Sequence, residues 1–139
     1  MRAVVDANVH VSALIGKRAP ARIMAAWVRQ RTFDLVVCPQ LIAEISDVLE
    51  RVHVRRRLPL SAADRYLLAL AAQATQMPDL EPIAAATRDP DDDYLIALAR
   101  AAHADLIVSG DNDLLEWPEQ QPPVVSPAAF EDLLSAETT

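Results

Sequence analysis

Short apolar segments alternate with helical segments along this chain, and this alternation constrains the fold more than any other feature. Residues 2–5, 33–37 and 105–109 are nearly continuous apolar runs, and Val124-Val125 is a shorter one. A strand without polar alternation is typical of a sheet that is buried on both faces, as parallel sheets are. We therefore predict an α/β fold in which helices cover both faces of a central parallel sheet.

The helices are predicted from apolar residues that recur at helical spacing and from their start signals. We expect them at residues 20–30, from Pro39 to about Val52, at 61–76, at about 91–103 and at 127–134. No repeat or linker interrupts this order, so we predict a single domain over residues 1–135 and a frayed tail at 136–139.

Composition excludes several kinds of site. The chain of 139 residues has one cysteine and two glycines, so it lacks a disulfide framework, a cysteine metal site and a glycine-rich phosphate loop. No apolar run approaches membrane-spanning length, and the charged start at Arg2 does not resemble a signal peptide, so we expect a soluble cytoplasmic protein. The net charge of −7 argues against unaided attraction to nucleic acid.

The most unusual stretch is Asp89-Pro90-Asp91-Asp92-Asp93, which precedes a predicted helix. Part of it is explained by an ordinary helix start, with Asp89 as N-cap and Pro90 in the first turn. A calcium loop is excluded, because Tyr94 and Arg100 occupy the positions that need glycine and glutamate. Helix capping does not account for Asp92 and Asp93 together, unless one of them turns inward.

Other carboxylates are predicted to lie at the same edge of the sheet. Asp6 and Asp111 each follow a predicted strand, and Glu44 borders the apolar face of the helix after the second strand. Four carboxylates brought together there would repel one another by about 4 kcal/mol per pair at 4 Å, with an effective dielectric constant near 20. Such a cluster needs a cation, and oxygen ligands without histidine or cysteine favour Mg²⁺ or Mn²⁺ over zinc.

Four segments together resemble the PIN domain. They are Val5-Asp6-Ala7-Asn8-Val9, Leu41-Ile42-Ala43-Glu44-Ile45, Asp89-Pro90-Asp91-Asp92-Asp93 and Ser109-Gly110-Asp111-Asn112-Asp113-Leu114-Leu115. Within that family the chain is most similar to the toxin components of bacterial toxin–antitoxin pairs, the virulence-associated protein C-like ribonucleases. The resemblance extends from about residue 3 to residue 134.

This resemblance implies a three-layer α/β/α sandwich and hydrolysis of RNA with Mg²⁺ or Mn²⁺. The matching positions imply catalytic metal ligands at Asp6, Glu44, Asp93 and Asp111, with Asp92 as the rival of Asp93. Supporting roles fall to Asn8, Asp92, Ser109 and Asp113. Serine stands at position 109 where threonine is commoner in the family, but the hydroxyl is kept.

The resemblance also implies partners: an RNA substrate, a small antitoxin protein that covers the active-site groove, and a second copy of the chain in a homodimer. Basic residues that are candidates for RNA contact are Lys17, Arg18, Arg22, Arg55, Arg56 and Arg57. Cations at the end of a helix also complement its dipole, and the antitoxin is a third use for them. The sequence leaves these three readings open.

Two other classes of function are weighed against the ribonuclease. A catalytically silent PIN scaffold that binds a partner or RNA would be expected to have a broken acidic set, whereas all four positions are filled. A metal-dependent phosphatase with an aspartyl nucleophile would need Asp-x-Asp after the first strand, where this chain has Asp6-Ala7-Asn8.

Overall fold

The structure, a computed structural model, describes residues 1–80, 93–118 and 121–138. Five strands form one sheet in the order β3-β2-β1-β4-β5, and every neighbouring pair is parallel. The strands are β1 (Arg2–Val5), β2 (Asp34–Val37), β3 (Thr75–Gln76), β4 (Leu106–Val108) and β5 (Val124–Val125). The predicted parallel sheet is confirmed.

Helices lie in the connections between these strands and after the last strand. They are α1 (Ala7–Ile15), α2 (Ala19–Gln30), α3 (Pro39–Leu49), α4 (Val52–Arg55), α5 (Leu60–Gln73), α6 (Asp93–Ala101), α7 (Asn112–Leu115) and α8 (Pro127–Thr138). None of the helices within the described ranges is long and apolar enough to cross a membrane.

The path of the chain places helices on both faces of the sheet. From β1 the chain moves outward to β2 and β3, then crosses back to β4 on the other side of β1 and continues to β5. Because such crossovers are right-handed, the two directions of travel put their helices on opposite faces. The helix α1 packs on α2 and α3, whereas α6 packs on β1 and β4. The α/β/α sandwich is therefore confirmed, with fully buried residues such as Leu35 and Ile107 in its core.

Local structure departs from the sequence prediction in several places. The sequence pattern predicts no helix at α1, where the β-branched Val9 and Val11 are weak helix formers; packing on α2 and α3 stabilises it. The predicted helix from Pro39 to about Val52 ends at Leu49, and the short helices α4 and α7 have no counterpart in the prediction. The predicted helix 61–76 ends at Gln73, and Thr75–Gln76 forms β3 by pairing with β2. The last helix continues to Thr138, beyond its predicted end at residue 134.

This topology creates one special position at the edge of the sheet. The strands β1 and β4 are neighbours, yet the connections that leave their carboxyl ends lead to opposite sides of the sheet. In open parallel sheets, ligands bind in the crevice at such a switch point. The residues that directly follow β1 and β4 are thus the first candidates for a functional site.

Candidate active site

Asp6 and Ser109 meet at this switch point. Asp6 follows β1 as the N-cap residue of α1, and its backbone N–H continues the β1–β4 ladder by donating to the Val108 carbonyl at 2.9 Å. The hydroxyl of Ser109, fully buried after β4, donates a hydrogen bond of 2.8 Å to Oδ2 of Asp6. The sheet register therefore holds the Asp6 carboxylate beside a serine hydroxyl.

The Asp6 carboxylate is in an unfavourable position for a negative charge. Only 7% of the residue is exposed, and burial raises the pKa of Asp6 above its ordinary value. The hydrogen bond from Ser109 and the backbone amides of Asn8 and Ala7 lower this pKa, while the charge of Asp111 raises it further. Two carboxylates thus act on each other at the mouth of the crevice, a situation that a bound cation would relieve.

Asp111 is fixed by its own local turn. Its backbone N–H donates to the Ser109 hydroxyl oxygen at 3.0 Å, so one hydroxyl contacts both segments of the site. Its side chain caps α7 by accepting from the Asp113 backbone N–H at 2.9 Å. One carboxylate oxygen is therefore engaged in the cap, and the predicted supporting residue Asp113 contributes its backbone to that cap.

Glu44 is held by a residue that the sequence analysis did not identify. The hydroxyl of Tyr94 donates a hydrogen bond of 2.7 Å to Oε2 of Glu44. Burial, this hydrogen bond, and the charges of Glu44 and Asp6 all raise the pKa of Tyr94, which keeps the hydroxyl protonated as a donor. Because the charges of both Glu44 and Asp6 raise the pKa of Tyr94, both carboxylates act on the same hydroxyl group.

A second residue that the sequence analysis missed supports the helix that carries Glu44. Asp79 accepts a hydrogen bond of 2.8 Å from the backbone N–H of Gln40, in the first turn of α3. This long-range cap satisfies an orphan amide at the helix start, where α3 has no side-chain cap of its own. The sequence carries no local signal for the cap, since the two residues lie 39 positions apart.

Asp93 is the first residue of α6 and is buried, with 4% of its surface exposed. It adjoins Tyr94, and α6 packs on β1 and β4, the strands that present Asp6 and Ser109. Its rival Asp92, with the rest of the stretch from Asp89, lies outside the described residues. The side chain of Asn8 is exposed on α1.

The donor set suits a hard divalent cation, since it consists of carboxylate oxygens supported by a hydroxyl. Within this set the charge of Asp111 raises the pKa of Asp6, so these two carboxylates repel each other. Within residues 1–80, 93–118 and 121–138, however, no group of three or more histidine, cysteine, aspartate or glutamate side chains is assembled that could hold a metal ion. The described geometry thus brings together part of the predicted ligand set.

The six basic candidates separate into two ion-paired arginines, three residues that line a cavity, and one exposed arginine outside both sets. Arg22 pairs with Glu131, and Arg55 pairs with Glu50 at 2.8 Å. Lys17, Arg18 and Arg57 instead line one cavity, and Arg56 is exposed. This division has no signature in the sequence, because it depends on which acidic residues the fold brings close.

The all-parallel sheet and the buried aspartates near its switch point define a class of α/β protein. In this class the functional site is built from residues that follow the carboxyl ends of the strands. The family model described as "PIN domain" matches residues 2–113. The chain therefore belongs to the PIN domain family, which is a family of the nuclease type whose members generally use divalent metals.

Solved structures show the same fold at low sequence identity. PAE2754 from Pyrobaculum aerophilum superposes with a TM-score of 0.64 at 17% identity, covering 98% of this chain and 90% of that one. The PIN domain of human SMG5 gives 0.51 at 12% identity, with coverage of 96% and 98%. FitAcB from Neisseria gonorrhoeae gives 0.50 at 15% identity, with coverage of 91% and 98%. No curated protein sequence matches this chain.

Proposed function

We propose that this protein is an endoribonuclease that hydrolyses RNA phosphodiester bonds with Mg²⁺ or Mn²⁺. The observation that carries the proposal is the buried Asp6 carboxylate at the β1–β4 switch point, which accepts from Ser109 and is electrostatically opposed by Asp111. A nuclease of this kind needs no protein nucleophile. It needs carboxylates that hold a cation and orient a water molecule.

In this proposal Asp6, Glu44, Asp93 and Asp111 hold the cation, and Asp92 is the alternative to Asp93. When bound, the cation lowers the pKa of a coordinated water molecule and neutralises charge on the phosphoryl oxygens. Ser109 orients Asp6 and fixes the Asp111 backbone, while Tyr94 orients Glu44. The expected products carry a 5′-phosphate and a 3′-hydroxyl, as the family resemblance implies.

We further propose that the protein is the toxin of a toxin–antitoxin pair. In this proposal it acts in the cytoplasm, is inhibited by a small antitoxin protein and forms a homodimer. This proposal is supported by the resemblance of the four acidic segments to that group of ribonucleases. Co-expression with the product of an adjacent gene should suppress the cleavage activity, and light scattering on the purified protein should report a dimer.

The test of the activity is cleavage of a fluorescent mixed-sequence RNA in Mn²⁺, Mg²⁺ or EDTA. Asp6→Asn, Asp92→Asn and Asp93→Asn are compared with Asp64→Asn, which removes an exposed carboxylate from α5. Cleavage that requires metal, survives Asp64→Asn and is lost in Asp6→Asn supports the proposal. Cleavage that persists in EDTA or in Asp6→Asn contradicts it.

Two further readouts test the other classes of function. Turnover of a small phosphomonoester without RNA cleavage would identify a phosphatase. Failure both to cut RNA and to bind Mn²⁺ would identify a scaffold. Whichever of Asp92→Asn and Asp93→Asn abolishes cleavage is the third ligand.

A further inference from the structure

A basic cavity of about 580 Å³ lies at the corner between α1 and α2. Ser12 and Ile15 contribute from α1, Lys17 and Arg18 from the connection, Pro20 from α2, and Arg57 from the segment after α4. Two separate parts of the chain, the α1–α2 connection and the segment after α4, thus bring three cations to one concave surface. We call it the basic cavity below.

Within residues 1–80, 93–118 and 121–138, the cations of the basic cavity have no acidic partners. Among the residues that the structure describes, the ion pairs join Arg2 to Asp34, Arg22 to Glu131 and Arg55 to Glu50. None of these pairs involves Lys17, Arg18 or Arg57, and no carboxylate from the described part of the chain lines the cavity. In a chain with 20 acidic and 13 basic residues, three unpaired cations at one place are not a consequence of composition.

Hydrogen bonds fix the walls of the basic cavity. The Arg57 guanidinium donates to the Ile15 carbonyl at 3.0 Å, which leaves its other N–H groups for a ligand. The Arg22 guanidinium donates to the Lys17 carbonyl at 3.2 Å and so restrains the backbone of the α1–α2 connection. Because the Arg57 guanidinium and the backbone at Lys17 are held before a ligand arrives, less conformational freedom is lost on binding.

The N-terminus of α2 adds an electric field that attracts anions. The helix begins at Ala19 directly after Arg18, and its N-terminus has no side-chain cap and no acidic residue in the first turn. The first backbone N–H groups of a helix and its dipole attract anions. Cations and helix dipole therefore act on the same ligand, and guanidinium groups match a phosphate with two parallel hydrogen bonds.

The position of the basic cavity connects it to the acidic site. Asp6 directly precedes α1, and Ile15 ends it, so a helix of nine residues separates them, a length of about 13 Å. The carboxylates of the acidic site repel a polyanion, and the basic cavity offsets that repulsion nearby. RNA carries phosphates on both sides of any bond that is cut, which favours it over an acidic peptide as the occupant.

We propose that the basic cavity binds a backbone phosphate of the RNA substrate away from the cleaved bond, through Lys17, Arg18 and Arg57. This inference rests on the proposed ribonuclease function. It assigns RNA binding to three of the six basic candidates and leaves Arg22 and Arg55 to their acidic partners. The site recognises the charge of the backbone and carries no base specificity.

The test is binding of a fluorescent single-stranded RNA, measured by anisotropy in EDTA so that binding is separated from cleavage. The double variant Lys17→Gln/Arg18→Gln is compared with Arg29→Gln/Arg65→Gln, which removes the same charge from exposed positions outside the cavity. We expect the cavity variant to bind about tenfold more weakly, with a salt dependence of log Kd reduced by about 0.7 for each lost phosphate contact. The control variant should stay within about twofold of wild type.

Cleavage kinetics add a second readout. The cavity variant should raise KM and leave kcat unchanged, because the lost contact is remote from the reacting bond. Arg57→Lys and Arg57→Gln, checked by thermal denaturation, should give a graded loss of RNA affinity. Normal RNA binding by the cavity variants, or equal loss in the control variant, overturns the inference.

The outcomes also separate this inference from the proposed function. If wild type cuts RNA with metal but the cavity variants bind normally, only the basic cavity is misassigned. If wild type binds RNA through the cavity and never cuts it, the ribonuclease proposal fails while the phosphate site stands. If a polyglutamate peptide displaces RNA from wild type as effectively as unlabelled RNA does, an acidic protein is the better ligand and the inference is overturned.

Discussion

The Tyr94 hydroxyl donates a hydrogen bond of 2.7 Å to Oε2 of Glu44, and thereby ties the start of α6 to the first turns of α3. Tyr94 is buried, and Asp93, its neighbour in the chain, is buried with it. This hydrogen bond thus links two helices that present predicted metal ligands. The structure consequently supplies a positioning role that no sequence motif indicated.

Tyr94→Phe should reduce RNA cleavage by about tenfold and raise the Mn²⁺ concentration needed for half-maximal rate, because outer partners of ligating carboxylates orient them. The ring is retained, so core packing should change little. Cleavage rate as a function of Mn²⁺ concentration is the measurement. Tyr66→Phe, which removes another buried hydroxyl, is the control. An unchanged Mn²⁺ dependence in Tyr94→Phe would show that Glu44 needs no such partner.

Asp6→Asn should abolish cleavage while leaving the thermal unfolding midpoint equal to that of wild type or higher. Burial raises the pKa of Asp6, so folding disfavours its ionised form at neutral pH, and a neutral amide removes that penalty. The Ser109 hydroxyl can still donate to the amide oxygen. Calorimetry in EDTA measures the midpoint. A clear loss of stability would mean that the Asp6 charge stabilises the fold.

Ser109→Ala should lower cleavage about tenfold or more, since the hydroxyl both donates to Asp6 and accepts from the Asp111 backbone. Ser109→Thr keeps the hydroxyl and should retain most activity, provided that the fully buried site admits the extra methyl group. Parallel cleavage assays and melting curves distinguish the two effects. Equal activity in the alanine and threonine variants would remove the hydroxyl from the proposed mechanism.

Because the buried ring of His10 resists protonation, the free energy of unfolding should fall in mild acid. Its ring is fully buried, Nδ1 and the Tyr66 hydroxyl are hydrogen bonded at 2.5 Å, and Nε2 has no hydrogen-bond partner among the described residues. Burial lowers the pKa of His10 to about 3. The contribution to stability is therefore complete above the unfolded-state pKa of about 6.5 and is lost as the pH falls toward 3.

Urea unfolding at pH 7 and pH 5 measures this effect. The His10 contribution corresponds to a loss of about 2 kcal/mol between these two pH values. The difference between wild type and His10→Gln should shrink by that amount at pH 5, whatever the cost of the substitution itself. The variant His103→Gln, at an exposed histidine, is the control. A constant difference between wild type and His10→Gln would mean that the buried ring is protonated at pH 5.

Features set by short segments could be predicted from the sequence. Asp6 and Asp111 follow strands whose apolar character marks them as buried, so the edge on which the acids lie follows from the parallel sheet. Pro39 and Pro127 mark helix starts that the structure confirms. The catalytic and metal-ligand assignments of Asp6, Glu44, Asp93 and Asp111 stay predictions.

Features that depend on distant partners could not be predicted. Tyr94 donates a hydrogen bond to Glu44, which lies 50 positions away in the sequence. The strand β3 forms by pairing with the edge of β2. The basic residues divide according to which acids the fold places beside them, as with Arg22 and Glu131. Each of these outcomes is decided by tertiary packing, which local propensity and periodicity do not encode.

The hydrogen bond between Ser109 and Asp6 joins positions 103 residues apart. Any product truncated before β4 therefore lacks the serine, Asp111 and the strand that positions them beside Asp6. During synthesis from the amino terminus, the candidate active site is complete only when most of the chain has been made. Under the proposed ribonuclease function, fragments left by a nonsense codon or a broken message would spare cellular RNA.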